Sequence, residues 1–258
     1  MTVKSPLQID WRTWLRRWDA QQFGYLPDRE ERFAIMLDVV EVLLPKDFVA
    51  LDLACGPGSL SQRLLARFPE AHSIALDYDP VLLSIGQGAL GDQGGRLRWV
   101  EADLAAPDWP VRLGVPAVDA VLSTTALHWL GPLSLMQVYR QLGALIRPGG
   151  VFLNGDNIAF PPALEAMTRA AKTMQTNRQA RTAGGTQAES WKQWWDAIGR
   201  EPALAAQLAE RKRRYPDTAH DEHTPDIEGH ELLLRSAGFR EVSVVWQFGT
   251  NRVLMAVR

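Results

Sequence analysis

Three acidic residues and one pair of glycines are the residues of this chain whose types and spacing suit the binding of a ligand. Asp52 precedes Gly56-Pro57-Gly58, and Asp77 and Asp103 end or follow the next two apolar runs along the chain. Glycine has no Cβ, so the backbone at Gly56 and Gly58 can approach a ligand closely. A carboxylate at position 52 would repel a pyrophosphate over the glycines but would attract an ammonium or sulfonium group. The pattern therefore favours a nucleoside that has no phosphates and carries a positively charged tail.

Other nucleotide-binding loops fit the stretch LDLACGPGSL at 51–60 less well. No Lys-Ser/Thr pair follows the glycines, which excludes a Walker loop, and position 61 is Ser where the dinucleotide fingerprint has its third glycine. Asp77 follows Gly58 by about 20 residues, the distance expected for a carboxylate that accepts hydrogen bonds from ribose hydroxyls. For the two glycines taken alone, a tight strand-to-helix turn without any ligand remains the alternative.

Strands and helices alternate in the part of the chain that carries these residues. Apolar runs predict strands at 48–53, 73–77, 97–100, 118–122 and 151–153, and amphipathic patterns predict helices at 59–67, 80–87 and 133–146. Ser59 is a candidate cap for the first of these helices. The alternation predicts a parallel sheet covered on both faces, with ligands beyond the carboxyl ends of its strands.

Helical segments flank or interrupt this alternation. Residues 1–44 predict two helices, and 157–225 predict three more at 163–180, 188–198 and 203–214. A helix at 231–236 and a hairpin of apolar runs at 242–246 and 252–257 return to the earlier pattern. The chain is thus divided into an N-terminal helical segment at 1–44, a core at 45–156 and 226–258, and a helical cap inserted at 157–225.

In their order along the chain, five motifs resemble those of the class I S-adenosylmethionine-dependent methyltransferases. They are LDLACGPGSL, IALDYDP, VEADL, VDAVLSTTALHWL and IRPGGVFLNGD. The resemblance covers about 45–156 and 226–258, and it is specific as a set. It implies an α/β fold, a Rossmann-like doubly wound sheet of seven strands in the order 3-2-1-4-5-7-6 with the last strand antiparallel. Ala54-Cys55 stands where the family more often has Gly-Cys.

The same resemblance implies a set of residues that bind S-adenosyl-L-methionine, with S-adenosyl-L-homocysteine as the product. Gly56 and Gly58 would line the methionine tail, Asp52 and the Ser123 carbonyl would lie near its amino group, and Asp77 would hold the ribose. The complete predicted set is Asp52, Ala54, Gly56, Gly58, Asp77, Tyr78, Asp103, Leu104 and Ser123. Asp103 and Leu104 would hold the adenine. Arg29 and Arg32 are candidates for the methionine carboxylate, or else solvated helix positions.

The methyl acceptor is expected on the rim after the fourth strand. His128 is the candidate general base, because a histidine titrates near working pH, although packing within the loop is the alternative. Trp191 and Trp195 lie on one predicted helix face with Trp194. That face is either the core of the inserted cap or an aromatic wall of the acceptor site. Tyr25, Trp129, Trp191 and Trp195 are the candidate acceptor-binding residues, with Phe23 and Trp18 as a gate beside Tyr25.

Composition sets further expectations. The net charge of −2 disfavours nucleic acid and anionic membranes as partners, and the single cysteine, Cys55, allows no internal disulfide. We expect a cytoplasmic monomer or homodimer, because 1–11 lacks a signal-peptide core and no window has the length of a membrane span. The basic run 211–214 is read as an exposed helix end. The run 220–223 fits no standard metal site, so no metal is expected, though His220, Asp221 and His223 could reach the acceptor.

These observations predict an enzyme that transfers a methyl group from S-adenosylmethionine to a small molecule. The accepting atom is O, N or C, and a carboxylate or a natural-product intermediate fits the capped site. Two alternatives stay open at this point: a protein that binds the cofactor without catalysis, and an NAD-dependent oxidoreductase, against which Asp52 and Ser61 count.

Overall fold

The chain forms a seven-stranded sheet in the order β3-β2-β1-β4-β5-β7-β6, as the resemblance implied. The computed structural model describes residues 9–182, 189–215 and 224–258. The strands are β1 (Val49–Leu53), β2 (His72–Asp77), β3 (Leu97–Glu101), β4 (Val118–Thr124), β5 (Ile146–Asn157), β6 (Glu241–Phe248) and β7 (Asn251–Val257). The first five pair in parallel, and β7 runs antiparallel to both β5 and β6.

Helices cover both faces of the sheet. They are α1 (Trp11–Tyr25), α2 (Arg29–Leu43), α3 (Ser59–Arg67), α4 (Pro80–Leu90), α5 (Trp109–Arg112), α6 (Pro132–Leu145), α7 (Glu165–Thr182), α8 (Trp191–Ile198), α9 (Ala205–Arg214) and α10 (Ile227–Ser236). One face of the sheet packs on α5, α6 and α10, and the other packs on α2, α3 and α4. The two apolar cores follow the alternation of side chains along each strand.

Several boundaries differ from those the sequence predicts. Helix α1 continues through Gly24 to Tyr25, and β5 begins at Ile146, so it includes the Pro148-Gly149-Gly150 segment that was expected to precede it. Helix α10 begins at Ile227, where the Asp226 side chain accepts from the Gly229 amide. Short α5 and a 3-10 turn at Leu127–Trp129 have no clear signal in sequence, because each is stabilised by the core it packs on.

A third apolar core joins three segments that are far apart in sequence. The Trp194 ring of α8 is fully buried and lies 5.9 Å from Trp14 and 5.1 Å from Trp18, both on α1. Val81 and Ile85 of α4 complete this cluster. The tryptophan face of α8 is therefore an interface with α1 and α4, rather than a core belonging to the cap alone. Within the described ranges, no helix is both long and apolar enough to cross a membrane.

Candidate functional site

The loop between β1 and α3 has a backbone that favours glycine. Gly56 and Gly58 have φ of 56° and 80°, and Ala54 has φ of 57°. A Cβ on Gly58 would stand 2.6 Å from the Trp99 ring, so no larger residue fits there. Ala54 holds a left-handed conformation that glycine adopts more readily, at a cost of about 1 kcal/mol. Ala54 thus occupies a position at which glycine would be unstrained.

Asp77 at the end of β2 organises this loop. Its Oδ2 accepts from the Gly56 amide at 2.7 Å, and its Oδ1 accepts from the Tyr78 and Asp79 amides at 2.7 and 2.8 Å. Burial raises the pKa of Asp77 to about 6, although these three donors oppose the shift. A carboxylate has about four lone-pair sites, so one site on Oδ2 is left for an outside donor such as a hydroxyl.

Asp52 lies beneath the start of α3 and keeps one oxygen without a partner. Its Oδ2 accepts from the Ser61 amide at 2.9 Å and from the Ser61 hydroxyl at 2.7 Å. Its Oδ1 is buried and accepts from no group among the described residues. Burial raises the pKa of Asp52 to about 6 against the effect of these hydrogen bonds. A buried carboxylate oxygen without a donor suits a cationic or N–H-bearing ligand group, so the residues present fit a methionine-type amino end.

The other predicted cofactor residues lie at the carboxyl ends of β3 and β4. Asp103 is half-exposed and accepts from the Ala105 amide at 2.9 Å, and no described residue donates to its second oxygen. Leu104 is buried in the core on the α6 face. Ser123 is buried and uses its hydroxyl to donate to the Leu53 carbonyl at 2.9 Å. The acids therefore share one edge of the sheet, as their placement after successive strands predicted.

The start of α3 differs from the prediction that Ser59 caps it. The cap position is Gly58, and the Ser59 hydroxyl instead donates to Oδ1 of Asp19 on α1 at 2.6 Å. Arg29 is buried as well, with Nη1 at 2.9 Å from the same Asp19 oxygen. The reading of Arg29 as a solvated position was therefore wrong, because α1 folds over it.

His128 is held by a carboxylate that the sequence did not single out. Its Nδ1 lies 2.7 Å from Oδ1 of Asp156, a buried residue near the end of β5. The carboxylate can only accept, so Nδ1 carries the proton and Nε2 is directed elsewhere. Burial alone would lower the pKa of His128, but the hydrogen bond and charge of Asp156 outweigh it and raise that pKa. Asp156 could have been found only as an acid closing the fifth strand.

Arg32 lies across the ends of β4 and β5 and is fully buried, so its reading as a solvated position was also wrong. Its guanidinium donates to Thr124, Thr125 and Asn251 at 2.8, 2.5 and 3.0 Å, and its Nε has no partner. Gly155 makes room for it, since a Cβ there would stand 2.8 Å from Cδ of Arg32. Burial lowers the pKa of Arg32 to about 10, which leaves the group charged at neutral pH.

A second buried guanidinium lies on the other face of the same corner. Arg252 stands opposite Asp156 in the β5–β7 pair, donates to the Ala159 carbonyl at 3.2 Å and packs on the Phe160 ring. Its Nε, like that of Arg32, is buried without a partner. In the ranges 9–182, 189–215 and 224–258 neither guanidinium forms an ion pair. Carboxylates act on both groups at longer range, Asp156 and Asp28 on Arg32 and Asp226 on Arg252.

The predicted acceptor residues lie around two rims. Trp129 is 54% exposed beside the His128 ring, with centroids 5.0 Å apart. Tyr25, Trp191 and Trp195 lie together at the junction of α1 with the cap, where the Tyr25 hydroxyl accepts from the Trp191 amide at 2.8 Å. Their role as an acceptor wall stays a prediction. His220, Asp221 and His223 lie outside the described residues.

The basic run at the end of α9 is not simply exposed. Arg211 and Arg214 turn back onto the sheet edge, whereas Lys212 and Arg213 face outwards. Arg211 Nε lies 2.6 Å from Oδ2 of Asp79, and Arg214 Nη1 donates to the Tyr78 carbonyl at 2.7 Å. The prediction of an exposed helix end was wrong for these two residues, because their partners lie more than a hundred residues earlier. Among the described residues no cluster of metal ligands is present.

Comparison with known sequences identifies a family and several relatives that resemble this chain. Residues 50–150 match the family described as "Methyltransferase domain". Trans-aconitate 2-methyltransferase of Methylobacterium radiotolerans is 33% identical over 147 residues, which are 56% of this chain and 52% of that protein. The chain thus spans about half the length of that relative. Trans-aconitate 2-methyltransferase of Methylobacterium nodulans is 25% identical over 256 residues, 84% of this chain and 94% of that protein.

A solved structure shares the fold. An O-methyltransferase family protein from Burkholderia thailandensis superposes with a TM-score of 0.54, over 95% of this chain and 69% of that one, at 20% identity. At that identity the likeness concerns the arrangement of strands and helices alone. The matched residues 50–150 span the sheet from β1 to the start of β5.

Proposed function

We propose that this chain, a member of the class I S-adenosylmethionine-dependent methyltransferases, transfers a methyl group to a carboxylate oxygen of a small acidic acceptor. The edge formed by β1, β2 and β3 would bind the donor. The corner formed by His128, Asp156 and Arg252 would bind the acceptor. Two relatives are named for trans-aconitate, a tricarboxylate, which fits an acceptor of this kind.

Each part of the donor has a residue suited to it. The free oxygen of Asp52 would accept from the methionine ammonium, and Asp77 would accept from a ribose hydroxyl through the lone-pair site left on Oδ2. The second oxygen of Asp103 would accept from the adenine amine. Arg32 would attract the methionine carboxylate from the end of β4. The Asp52 carboxylate would thus face the ammonium group of the methionine moiety, and the Arg32 guanidinium would face its carboxylate.

The observation that carries the acceptor assignment is the pair of cationic donors, Arg252 and His128, at the end of β5. The buried Arg252 guanidinium forms no ion pair with a described residue, and Asp156 raises the pKa of His128, so the imidazolium persists to higher pH than usual. Charges in a partly buried site interact more strongly than they would in water. An acceptor carboxylate would accept from these two donors, whereas an amine would be repelled by them.

The bound donor supplies an electrophilic methyl group, so the protein's task is alignment and exclusion of water. A carboxylate acceptor is already ionised and needs no general base. His128 would then act as imidazolium, with Nε2–H donating to the acceptor while Asp156 fixes the ring. For a hydroxyl acceptor the same Asp156–His128 geometry would serve a general base, and this second role is distinguished by its pH dependence.

The proposal is tested by incubating the protein with methyl-labelled S-adenosylmethionine and a panel of acceptors. We expect label to pass to trans-aconitate or another di- or tricarboxylate as a base-labile ester, and not to the matched amide or alcohol. Transfer to an alcohol or amine alone would contradict the carboxylate assignment. No transfer to any acceptor, together with tight binding of S-adenosylhomocysteine, would favour a protein that only binds the cofactor.

The pH profile of that reaction follows from the direction of the His128 shift. The imidazolium is present below the raised pKa and is lost as pH rises through it, so kcat/KM for a carboxylate acceptor should fall as pH increases above about 6.5. The fall reports loss of one donor hydrogen bond and of one positive charge. A kcat/KM that instead rises over the same range would identify His128 as a base and the acceptor as a protonated group.

Donor binding should weaken at low pH, whereas turnover of a carboxylate acceptor should decline at high pH. Asp52 and Asp77 both have pKa values of about 6 in the free protein, and both must be ionised to accept from the donor. Affinity for S-adenosylhomocysteine should therefore fall below pH 6, by up to about tenfold per pH unit for each carboxylate. Calorimetry across about pH 5 to about pH 8 measures this.

The free protein provides the control for this effect. The pKa of each carboxyl is higher in the folded protein than in the unfolded chain, so its contribution to the free energy of unfolding is largest at pH values below the pKa of the unfolded chain. That contribution is lost as pH rises through about 6. The two carboxyls therefore do not destabilise the free protein where affinity declines. An affinity that stays constant down to about pH 5 would remove Asp52 and Asp77 from the donor site.

A further inference from the structure

The last turn of α9 lies against the ends of β2 and β3. Arg211 binds Asp79 with an Nε to Oδ2 distance of 2.6 Å, and Arg214 donates to the Tyr78 carbonyl and forms an ion pair with Glu101. Glu101 pairs in register with Asp77. The contacts of α9 therefore fall on the two residues that follow the carboxylate assigned to the ribose and on its neighbour in β3.

Aromatic rings complete this contact. Arg211 lies 3.9 Å above the Trp195 ring, and Arg214 lies 4.7 Å above the Tyr78 ring. Tyr215, directly after the helix, meets Tyr78 edge to face at 5.7 Å. Burial and the charges of Asp77 and Asp79 raise the pKa of the Tyr215 phenol, so this ring also stands in the field of the ribose-binding edge. Planar rings next to that edge suit contact with a nucleoside.

The two arginines differ from their neighbours on the same turn. The side chain of Arg214 is 10% exposed, and that of Asp79 is 5% exposed, so this is a partly buried network rather than a surface pair. Arg213 is 73% exposed and pairs with Glu210 of its own helix, which Arg214 also contacts, and among the described residues it pairs with no residue of the sheet. Such partial burial makes the inward pairs stronger than a fully exposed pair, while salt can still reach them through the half-exposed Glu101.

From this geometry we infer that the last turn of α9, with Arg211, Arg214 and Tyr215, is a wall of the nucleoside half of the donor site and must move away for the donor to enter or leave. The inference rests on the proposed function, since it takes the edge of β2 and β3 as the nucleoside site. The two inward arginines latch the wall to Asp79, Tyr78 and Glu101. Donor exchange is then limited by the breaking of these contacts.

The test compares two double variants that remove the same charge from one helical turn. Arg211→Ala with Arg214→Ala breaks the latch, and Lys212→Ala with Arg213→Ala is the matched control. Binding and release of S-adenosylhomocysteine are followed by stopped-flow tryptophan fluorescence, because Trp195 lies under Arg211. We expect release to be at least about fivefold faster in the latch variant than in the control, as two charge-assisted contacts are lost.

Salt dependence supplies a second readout. Exchange in the unaltered protein should accelerate with ionic strength, and this dependence should be weaker in the latch variant. Tyr215→Leu, which keeps the latch, should weaken binding without that change in salt dependence; it serves if the double variant does not fold. Equal rates in the latch variant and the control would overturn the wall while leaving the donor site intact. If the unaltered protein binds no S-adenosylhomocysteine, both the wall and the proposed function fail.

Discussion

Replacing Asp77 by Asn should weaken the binding of S-adenosylhomocysteine by about 100-fold or more, the largest effect we expect on donor affinity. The carboxylate holds three backbone amides, and its remaining lone-pair site is the one assigned to the ribose. Asn keeps one oxygen acceptor and replaces the other with an amide donor. Placed against the Gly56 amide, that donor disrupts the loop, and placed against the ribose it removes the acceptor. Calorimetry with the variant measures the loss.

Asp119→Asn is the matched control for this variant. Asp119 is also a strand acid that accepts from a backbone amide, that of Val49 at 2.7 Å, but it stands near the start of β4 at the opposite edge of the sheet. Both Asp77→Asn and Asp119→Asn should lower the melting temperature by a few degrees, but Asp119→Asn should leave donor affinity unchanged. If Asp77→Asn bound S-adenosylhomocysteine as tightly as the unaltered protein, the donor would have to lie elsewhere.

Asp156→Asn should lower kcat/KM for the carboxylate acceptor by about 10- to 100-fold at neutral pH. The amide oxygen can still accept from Nδ1 of His128, but the charge that raises the pKa of the imidazole is gone. A neutral imidazole with its proton on Nδ1 turns the lone pair of Nε2 towards the acceptor carboxylate, where the imidazolium had a donor. The net charge of the pair does not change, so the loss reports the missing donor.

The pH profile separates this effect from a structural one. In Asp156→Asn the decline of kcat/KM should move to lower pH, because the pKa of His128 falls, while affinity for S-adenosylhomocysteine stays unchanged. His128→Gln should show a similar loss and no decline in this range. An unchanged midpoint in the Asp156 variant would mean that the carboxylate supports the fold and not the titration of His128.

The sheet and the three acids at its edge could be predicted from the sequence, because the patterns that indicate them lie within short stretches of the chain. The strand order and the matched domain were implied by motifs whose members lie within a few residues of one another, and the three acids fall after successive strands. Asp52, Asp77 and Asp103 could be placed because the carboxyl ends of parallel strands share one edge.

The remaining features depend on contacts that no local pattern encodes. The sequence left Arg32 open between a cofactor contact and a solvated helix position, because its partners Thr124 and Asn251 come from β4 and β7. Asp156 could not be paired with His128 until β5 was set beside the turn after β4. Arg211 and Arg214 form a charge run in sequence, and only the packing of α9 on α4 shows which two face inwards.

The third apolar core, formed by α1, α4 and α8, also constrains the order in which parts of the chain pack during synthesis. Trp14 and Trp18 of α1 bury their rings against Trp194, and α1 packs on α4 as well. On the ribosome α1 and α4 are both synthesised well before α8, so α1 can pack on α4 while the surfaces of Trp14 and Trp18 that contact Trp194 remain uncovered. This cluster should therefore be completed only after α8 has been synthesised. Until then the uncovered indole surface of α1 is where a chaperone would bind.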